Sequence, residues 1–406
     1  MIKLANKKNI ALVLSGGGIK AAAFHVGVCL ALKEKGFRFV GGTQQTVPTM
    51  ESNNLAIRMY VGSSAGAVIS TFLASGYDIE SVIDAFQMGS SLRQRYFKRT
   101  PTDASVDRQG RLKPLSYFHI FSLNKGNFTR FIPKIWTDKS FYSGGLEALI
   151  KSGFKINGLF TTHGLERYLR KYVLPQNQFS ALGVPLFIIG TQLNHSRKVV
   201  FGNFKDTYKV KTIKYANFST ISEAVAASAS LPPFFAPYGI KNQKGKELYF
   251  FDGEIRDTLS THVAADHGAD LVISSYSVQP YHYTPELGSL HHYGIPMIIN
   301  QALYQVIEQK IEKHRKYQKD LESIYRTVDG YFRQSDLPDE HRQKLLNIIA
   351  ERVNFKPDVD YLYIHPSPQD HEMFFVDHFS LKPQILEKIV KIGFRSAINV
   401  LRKHDV

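Results

Sequence analysis

Residues 56–70 read Ala-Ile-Arg-Met-Tyr-Val-Gly-Ser-Ser-Ala-Gly-Ala-Val-Ile-Ser, an apolar run joined to small residues by the pentapeptide at positions 62–66. Ser64 is the central serine of this G-x-S-x-G pattern. A strand that turns sharply into a helix leaves little space two residues before or after the turn, so glycine stands at both places. The pattern predicts a strand, a turn that exposes the Ser64 hydroxyl, and a helix whose positive end faces it. Ser64 is thus a candidate nucleophile; the alternative is a small-residue turn with a packing role only.

The composition is that of a folded globular chain. Of 406 residues, 43% are hydrophobic and 21% are charged, which suits one large α/β domain with an elaboration, or two domains. No apolar run reaches the roughly 18 residues that a membrane-spanning helix needs. The single cysteine, Cys29, has no internal disulfide partner and is expected to be a buried thiol. We expect a cytoplasmic or peripheral membrane protein, with a secreted effector as another possibility.

The charge balance points to anionic partners. The net charge is +16, from 51 Lys and Arg against 35 Asp and Glu. Each basic residue held near an anionic membrane contributes roughly 1 kcal/mol of attraction. The sequence contains no zinc finger, RNA-binding aromatic signature or recognition-helix module. We therefore expect a phospholipid surface and not a nucleic acid as the partner, although a merely solvated basic surface is the simpler alternative.

A second glycine-rich segment precedes the serine motif. A predicted buried strand at 9–14 ends in Ser15-Gly16-Gly17-Gly18, and residues 19–32 have helical spacing. A strand, a glycine loop and a helix together present a row of backbone N–H groups to a negative charge. The loop does not follow either nucleotide-binding pattern, because position 21 is alanine and no G-K-[ST] follows.

An aspartate follows a predicted strand much later in the chain. Residues 247–251 form an apolar strand that delivers Asp252, Gly253 and Glu254 at its end. Taken alone, Asp252 is a turn residue whose side chain caps the adjacent Gly253. Next to a nucleophilic serine it is a candidate base, since burial raises the pKa of a carboxyl group from its reference value of about 3.9.

These three blocks, in this order, resemble the patatin-like phospholipase family. The family pattern is a G-G-G-x-[KR]-G loop, a G-x-S-x-G motif and a later Asp-Gly, and the resemblance covers roughly residues 9–275. Two departures stand out: Ala21 replaces the last glycine of the loop, and Glu254 stands where the family usually has Gly or Ala. A second carboxylate at 254 either raises the pKa of Asp252 or disturbs the pair.

The resemblance implies an α/β fold with three layers, in which a central mixed or parallel sheet lies between helices, with a helical C-terminal extension. We expect a catalytic domain over residues 1–290 and a mainly helical extension over 291–406. Within the first, residues 89–140 form a basic and aromatic insertion, either a cap over the site, a lipid-headgroup patch, or an ordinary packed subdomain.

The implied chemistry is acyl ester hydrolysis of the phospholipase A or lysophospholipase type. Ser64 attacks the ester, Asp252 accepts its proton, and the N–H groups of Gly16, Gly17 and Gly18 hold the oxyanion. This mechanism requires no metal and no cofactor. Whether an activating factor is needed stays open.

Three alternatives remain at this point. The same fold and nucleophile would serve an acyltransferase or a thioesterase, and the same fold without the catalytic role would serve a membrane-binding or partner-binding module, for which Ala21 and Glu254 are the sequence hints. A Ser-His-Asp triad would need a histidine on a late loop, and five follow Asp252: His262, His267, His282, His291 and His292.

Helical spacing dominates beyond residue 290. We predict helices at Ile295 to about Val328, at Asp339 to Val353 and at Pro383 to Lys403. The first is expected to place one set of apolar residues on a single face, for core packing or for docking on a membrane or partner: Ile298, Ala302, Leu303, Val306, Ile307 and Ile311.

Overall fold

The computed structural model describes residues 2–47, 55–88, 112–124, 157–210, 212–256, 258–334 and 338–404. The strands are β1 (Ile10–Leu14), β2 (Arg38–Phe39), β3 (Ala56–Ser63), β4 (Ser122–Leu123), β5 (Phe160–Thr161), β6 (Leu186–Gln192), β7 (Arg197–Phe201), β8 (Tyr208–Val210), β9 (Ile213–Ala216), β10 (Tyr238–Lys241), β11 (Glu247–Asp252), β12 (Leu271–Ser275) and β13 (Asp360–Ile364). The helices are α1 (Gly18–Glu34), α2 (Ala65–Ala74), α3 (Ile79–Ala85), α4 (Tyr117–Ile120), α5 (His163–Tyr172), α6 (Ile221–Ser228), α7 (Thr261–Asp266), α8 (Ile295–Arg333), α9 (Asp339–Val353), α10 (Glu372–Phe375) and α11 (Pro383–Leu401).

The central sheet is mixed, with a parallel core. Its main order is β13-β12-β1-β3-β6-β7-β9-β8, and the first five strands run parallel. Strand β7 is antiparallel to β6, and so is β11, which pairs with the end of β6. Parallel strands covered on both faces are apolar throughout, and every residue of β1 is buried. Their carboxyl ends lie at one edge, where the loops after β1 and β3 meet.

Helices cover both faces of the sheet. On one face α1, α2 and α11 pack over β1 and β3, and on the other α7 packs through Val263 and Ala264. Helices α1 and α11 touch backbone to backbone: a Cβ on Gly27 would lie 2.1 Å from the Val390 carbonyl oxygen, and one on Gly393 would lie 2.2 Å from that of Phe24. The predicted three-layer α/β architecture with C-terminal helices is confirmed.

The C-terminal residues take part in this core. Strand β13 adds a parallel strand to β12, from Leu271 opposite Asp360 to Ser275 opposite Ile364. The helices after residue 290 include the three that the spacing predicts, and α9 has the predicted bounds. The boundary between two domains at residue 290 stays a prediction. Of the predicted 89–140 insertion, only 112–124 belongs to the described ranges and the remainder lies outside them.

The single apolar face predicted for α8 is wrong. Ile311 is buried against Leu259 and Tyr276, and Ile307 packs beside it. In contrast, Leu303 and Val306 are 57% and 51% exposed. At 3.6 residues per turn the six apolar residues spread over more than half of the helix circumference, so those at one end of this arc are buried and the others face solvent.

None of the described helices is long and apolar enough to cross a membrane. Helix α8 is the longest described element, with 39 residues, and charged residues recur along it.

Candidate active site

The Ser64 turn has the geometry that its two glycines require. Ser64 joins β3 to α2 with φ 52° and ψ −119°, a positive φ that is uncommon for a residue with a side chain. A Cβ on Gly62 would lie 2.5 Å from the Cα of Ala67, and one on Gly66 would lie 2.1 Å from the Leu14 carbonyl oxygen. The backbone of α2 therefore lies directly against β1 and β3, which leaves Ser64 at the apex.

Two contacts from distant segments fix this turn. The Ser64 N–H donates to Ser228 Oγ on α6 at 2.8 Å, and the Ser228 hydroxyl donates in turn to the Ile189 carbonyl on β6. The Gly66 N–H donates to the Ser15 carbonyl at 3.1 Å. Sequence reasoning did not assign Ser228, whose only signal is its place in a helix of small residues.

The structure brings Asp252 to Ser64. Strand β11 pairs with β6 so that Asp252 lies opposite Gly190, and the neighbouring Ile189 lies opposite Ser63 on β3. The Asp252 carboxyl group faces the Ser64 hydroxyl, which interacts with it closely enough to lower its pKa. Both side chains are almost fully buried, at 6% and 2% exposure.

Burial dominates the electrostatics of Asp252. It raises the pKa of this carboxyl group from 3.8 to about 6, while hydrogen bonds from the Ser64 hydroxyl and the Glu254 N–H lower it. The second bond is 2.9 Å long. It is a turn contact of the kind predicted for Asp252 as a capping residue, but it caps residue 254 and not Gly253. Asp252 therefore closes its own turn with one oxygen and faces the serine as well.

The glycine loop lies against the serine. A Cβ on Gly16 would lie 2.9 Å from the Cβ of Ser64. Gly17 and Gly18 have φ of 131° and 72°, and Gly18 begins α1. The first N–H groups of a helix have no acceptor within it, so this end of α1 carries partial positive charge next to Ser64. Ala21, one of the two departures from the family pattern, is fully buried in the first turns of α1.

Glu254, the other departure, is bound to the loop. Its Oε1 accepts a hydrogen bond from the Gly16 N–H at 2.8 Å. Its Cγ lies 2.5 Å from the place that a Cβ on Gly16 would take, on the side that faces Ser64. One of the three N–H groups predicted to hold an oxyanion is thus already bonded to a carboxylate.

C-terminal residues support the back of the loop. The buried Lys20 ammonium donates to the Tyr304 hydroxyl at 2.8 Å and to the Met373 carbonyl. The Tyr304 hydroxyl lies 2.6 Å from His378 Nε2, and the His378 carbonyl accepts the Lys20 N–H. Burial lowers the pKa of Lys20 to about 7, against the raising effect of Asp377, and lowers that of His378 to about 3. This cluster, Lys20–Tyr304–His378, ties α8 and the segment before α11 to the loop.

The histidines lie in other contacts. Buried His25 bridges Ser275 Oγ, 2.8 Å from Nδ1, and the Ser15 carbonyl, 2.9 Å from Nε2. Burial lowers the pKa of His25 to about 4, so its ring is neutral at neutral pH. Of the five triad candidates, His262 lies 3.0 Å from the Lys198 ammonium and His267 binds the Val263 carbonyl.

An apolar cavity opens beside Ser64. With the open solvent at its mouth included, it has about 610 Å³ of space, and it reaches from the glycine loop to the aromatic rings of Phe235 and Phe379. Its apolar lining includes Ile19, Ala22, Val68, Leu165, Phe235 and Phe379. Phe234, which packs on Phe379, and Phe118 are exposed close to this lining, at 46% and 87%. Within the described ranges, no group of three or more His, Cys, Asp or Glu side chains could hold a metal ion.

Comparison with known proteins gives three findings. The model of a family described as patatin-like phospholipase matches residues 12–265. The uncharacterized protein YqhO of Bacillus subtilis (strain 168) is 37% identical over 87 residues, which are 21% of this chain and 23% of that protein. The chain thus matches about a quarter of that relative's length. A chain from the heterodimeric ExoU-SpcU complex of the Pseudomonas aeruginosa type III secretion system is 14% identical, with a TM-score of 0.24 over 97% of this chain and 75% of that one.

Proposed function

The chain belongs to the patatin-like phospholipase family, a family of lipid acyl hydrolases, and on this premise we propose that it cleaves the acyl esters of membrane phospholipids with a Ser64–Asp252 dyad. The family model covers more than half of the chain, which confirms the resemblance of its motifs. The observation that carries the proposal is a buried serine hydroxyl that faces a buried carboxyl group of raised pKa at the wall of an apolar cavity.

The dyad accounts for each step of ester cleavage. Asp252 takes the hydroxyl proton as Ser64 Oγ bonds to the acyl carbon, and the carbonyl oxygen becomes an oxyanion. When this intermediate collapses, the bond to the lipid alcohol breaks and Asp252 returns the proton to the leaving oxygen. Water then attacks the acyl-enzyme by the same route, which releases a fatty acid and restores Ser64.

The raised pKa suits Asp252 to this role. A general base works best when its pKa is near the working pH, and a pKa of about 6 leaves Asp252 ionised at neutral pH and yet more basic than an exposed aspartate. Each oxyanion donor in a comparable site contributes about 3 kcal/mol of transition-state stabilisation. The glycine loop supplies such donors from backbone groups beside Ser64.

The cavity fits the apolar part of the substrate. Its lining is almost entirely aliphatic and aromatic, so an acyl chain that enters it exchanges contact with water for contact with apolar side chains. The acyl carbon is then placed at Ser64, one of the lining residues, and the headgroup stays outside.

The outer face of α8 supports a lipid surface as partner. Ile295, Ile299 and Val306 share its solvent side and are 72%, 54% and 51% exposed. Exposed Lys313 and Lys316 follow on the next turns. An apolar patch continued by lysines, on a chain of net charge +16, is complementary to an anionic bilayer.

The test is fatty-acid release from vesicles of phosphatidylcholine mixed with phosphatidylglycerol. We expect release by the parent, loss in Ser64→Ala, and parental activity in Ser180→Ala, which changes an exposed serine away from the site. Retained activity in Ser64→Ala contradicts the assignment of the nucleophile. Transfer of the acyl group to an added alcohol in preference to water would instead indicate an acyltransferase.

A further inference from the structure

Glu254 holds the N–H group that an oxyanion needs. We propose that Glu254 is an internal occupant of the oxyanion site, which keeps the resting enzyme closed until its side chain swings away from Gly16. This inference rests on the proposed function and adds a residue that the dyad mechanism does not use. It assigns Glu254 a restraining role, in contrast to Asp252.

The Gly16 N–H cannot donate fully to the Glu254 carboxylate and to an oxyanion at the same time. The Gly16 N–H donates to Glu254 Oε1 at 2.8 Å, a charge-assisted bond between a backbone donor and a carboxylate. The same N–H must turn to the substrate oxygen as negative charge develops there. The Glu254 Cγ also lies next to the Ser64 side of Gly16, in space that an approaching ester needs. A carboxylate kept there would repel the oxyanion as well.

Only the side chain has to move. The backbone of residue 254 is fixed by its N–H bond to Asp252 Oδ1 at 2.9 Å. The next carbonyl, of Ile255, accepts the Lys310 ammonium of α8 at 3.0 Å. A rotation of the Glu254 side chain therefore opens the loop without disturbing Asp252, whose bond comes from the backbone.

A blocking role and a supporting role for Glu254 predict opposite effects of removing its carboxylate. If its carboxylate assisted catalysis, removal would slow the reaction; if it blocks the site, removal speeds it. The contact between the residue 254 N–H and Asp252 persists in Glu254→Ala and Glu254→Gln, so neither variant removes the base. Glu286→Ala, at an exposed position away from the site, is a control for the change in net charge.

The first experiment measures labelling of Ser64 by a soluble fluorophosphonate, whose phosphonyl oxygen takes the oxyanion place. We expect labelling about 10- to 100-fold faster in Glu254→Ala, the range set by one charge-assisted hydrogen bond. Glu254→Gln should gain less, because its amide oxygen still accepts the N–H without a charge. Glu286→Ala should label at the parental rate.

The labelling outcomes distinguish the role of Ser64 from the role of Glu254. Labelling of the parent that Ser64→Ala abolishes supports the nucleophile, whatever Glu254 does. Equal or slower labelling of Glu254→Ala then overturns the Glu254 proposal alone. If no protein labels, both the nucleophile and the Glu254 proposal fail.

A second experiment does not depend on activity. Carbonyl-¹³C serine with ¹⁵N glycine selects the amides of the four Ser-Gly steps in the sequence, and the one that disappears in Ser15→Ala is that of Gly16. In the parent, the carboxylate bond should move the Gly16 amide proton downfield, and Glu254→Ala should move it upfield while Glu286→Ala leaves it unchanged. An unchanged Gly16 resonance in Glu254→Ala, with the unfolding temperature preserved, overturns the proposal.

Discussion

The two sides of Ser64 are held by different interactions. On one side, the glycine loop and the start of α2 are fixed by backbone groups at contact distance, with Gly62 and Gly66 leaving no space for a methyl group. On the other side, the turn after β11 presents two carboxylates, Asp252 toward the hydroxyl and Glu254 toward the loop. Close packing of the backbone determines the structure of the first side, and the two carboxyl groups determine the electrostatics of the second. Substitutions should therefore break the fold on the first side and change the chemistry on the second.

The largest effect is expected from Asp252→Asn. Loss of the general base should reduce kcat on a soluble ester by about 10²- to 10⁴-fold. The matched control is Asp206→Asn, at an exposed position, which should keep parental activity. Activity near the parental level in Asp252→Asn would show that the carboxylate side does not carry the chemistry.

The same substitution should stabilise the protein above pH 6. A carboxyl group whose pKa is raised by folding, here from 3.8 to about 6, destabilises the folded state as it ionises. Its cost is absent below pH 3.8, grows up to about pH 6 and then stays constant, at about 3 kcal/mol for this shift. Chemical denaturation at pH 5 and pH 8 should therefore show a gain for Asp252→Asn that is larger at pH 8. An equal or smaller gain at pH 8 would contradict the raised pKa.

On the packed side, Gly66→Ala should cost about 3 kcal/mol of unfolding free energy, since its methyl group would meet the Leu14 carbonyl. Gly330→Ala is the matched control in α8, where an added Cβ meets nothing within 4 Å. It should stabilise by up to about 1 kcal/mol, because alanine is the better helix former. Urea unfolding measures the change in unfolding free energy for both variants. Similar changes in Gly66→Ala and Gly330→Ala would contradict the steric explanation.

The pH profile sharpens the role of Asp252. With a folded pKa of about 6, the fraction of ionised base falls as pH is lowered through that value. The rate on a soluble ester should be level above pH 7 and fall about tenfold per unit well below pH 6. Asp252→Asn should lose this dependence, and a profile that it leaves unchanged would assign the titration to another group.

The smallest effect concerns a surface outside both sides of the site. Ile299→Asp on the outer face of α8 should weaken binding to anionic vesicles by about tenfold, in line with roughly 1.5 kcal/mol for one buried aliphatic side chain. Hydrolysis of a soluble ester should not change. Ile348→Asp, at a similarly exposed position on α9, is the control and should bind vesicles like the parent. Equal loss in both variants would remove the special role of the α8 face.

Local sterics made the packed side predictable. The spacing of Gly62, Ser64 and Gly66 can fold in few ways, and the strand before Asp252 showed where that carboxylate would emerge. The contacts of Glu254 with Gly16 and of Ser228 with Ser64 join residues far apart in the chain, and no local pattern encodes them.

Two features of the C-terminal part escaped prediction for related reasons. Strand β13 has five residues like β1, but it contains an aspartate and two tyrosines where β1 is aliphatic throughout, so its pattern does not distinguish it from a loop segment. The apolar residues of α8 were assigned to one face, although the helical period spreads them over an arc too wide to be buried on one side. Ile311 and Leu303 are both aliphatic, and only the position of neighbours such as Leu259 and Tyr276 decides which of them is buried.

The backbone contact between α1 and α11 has a consequence for how the chain folds. These helices come from near opposite ends of the sequence, yet each places a glycine against the carbonyl of the other. Contacts between such distant segments are slow to form, because a long loop must close first. The layer that covers β1 stays incomplete during synthesis until α11 has left the ribosome. The folding unit is therefore larger than the segment at 12–265 that the family model recognises.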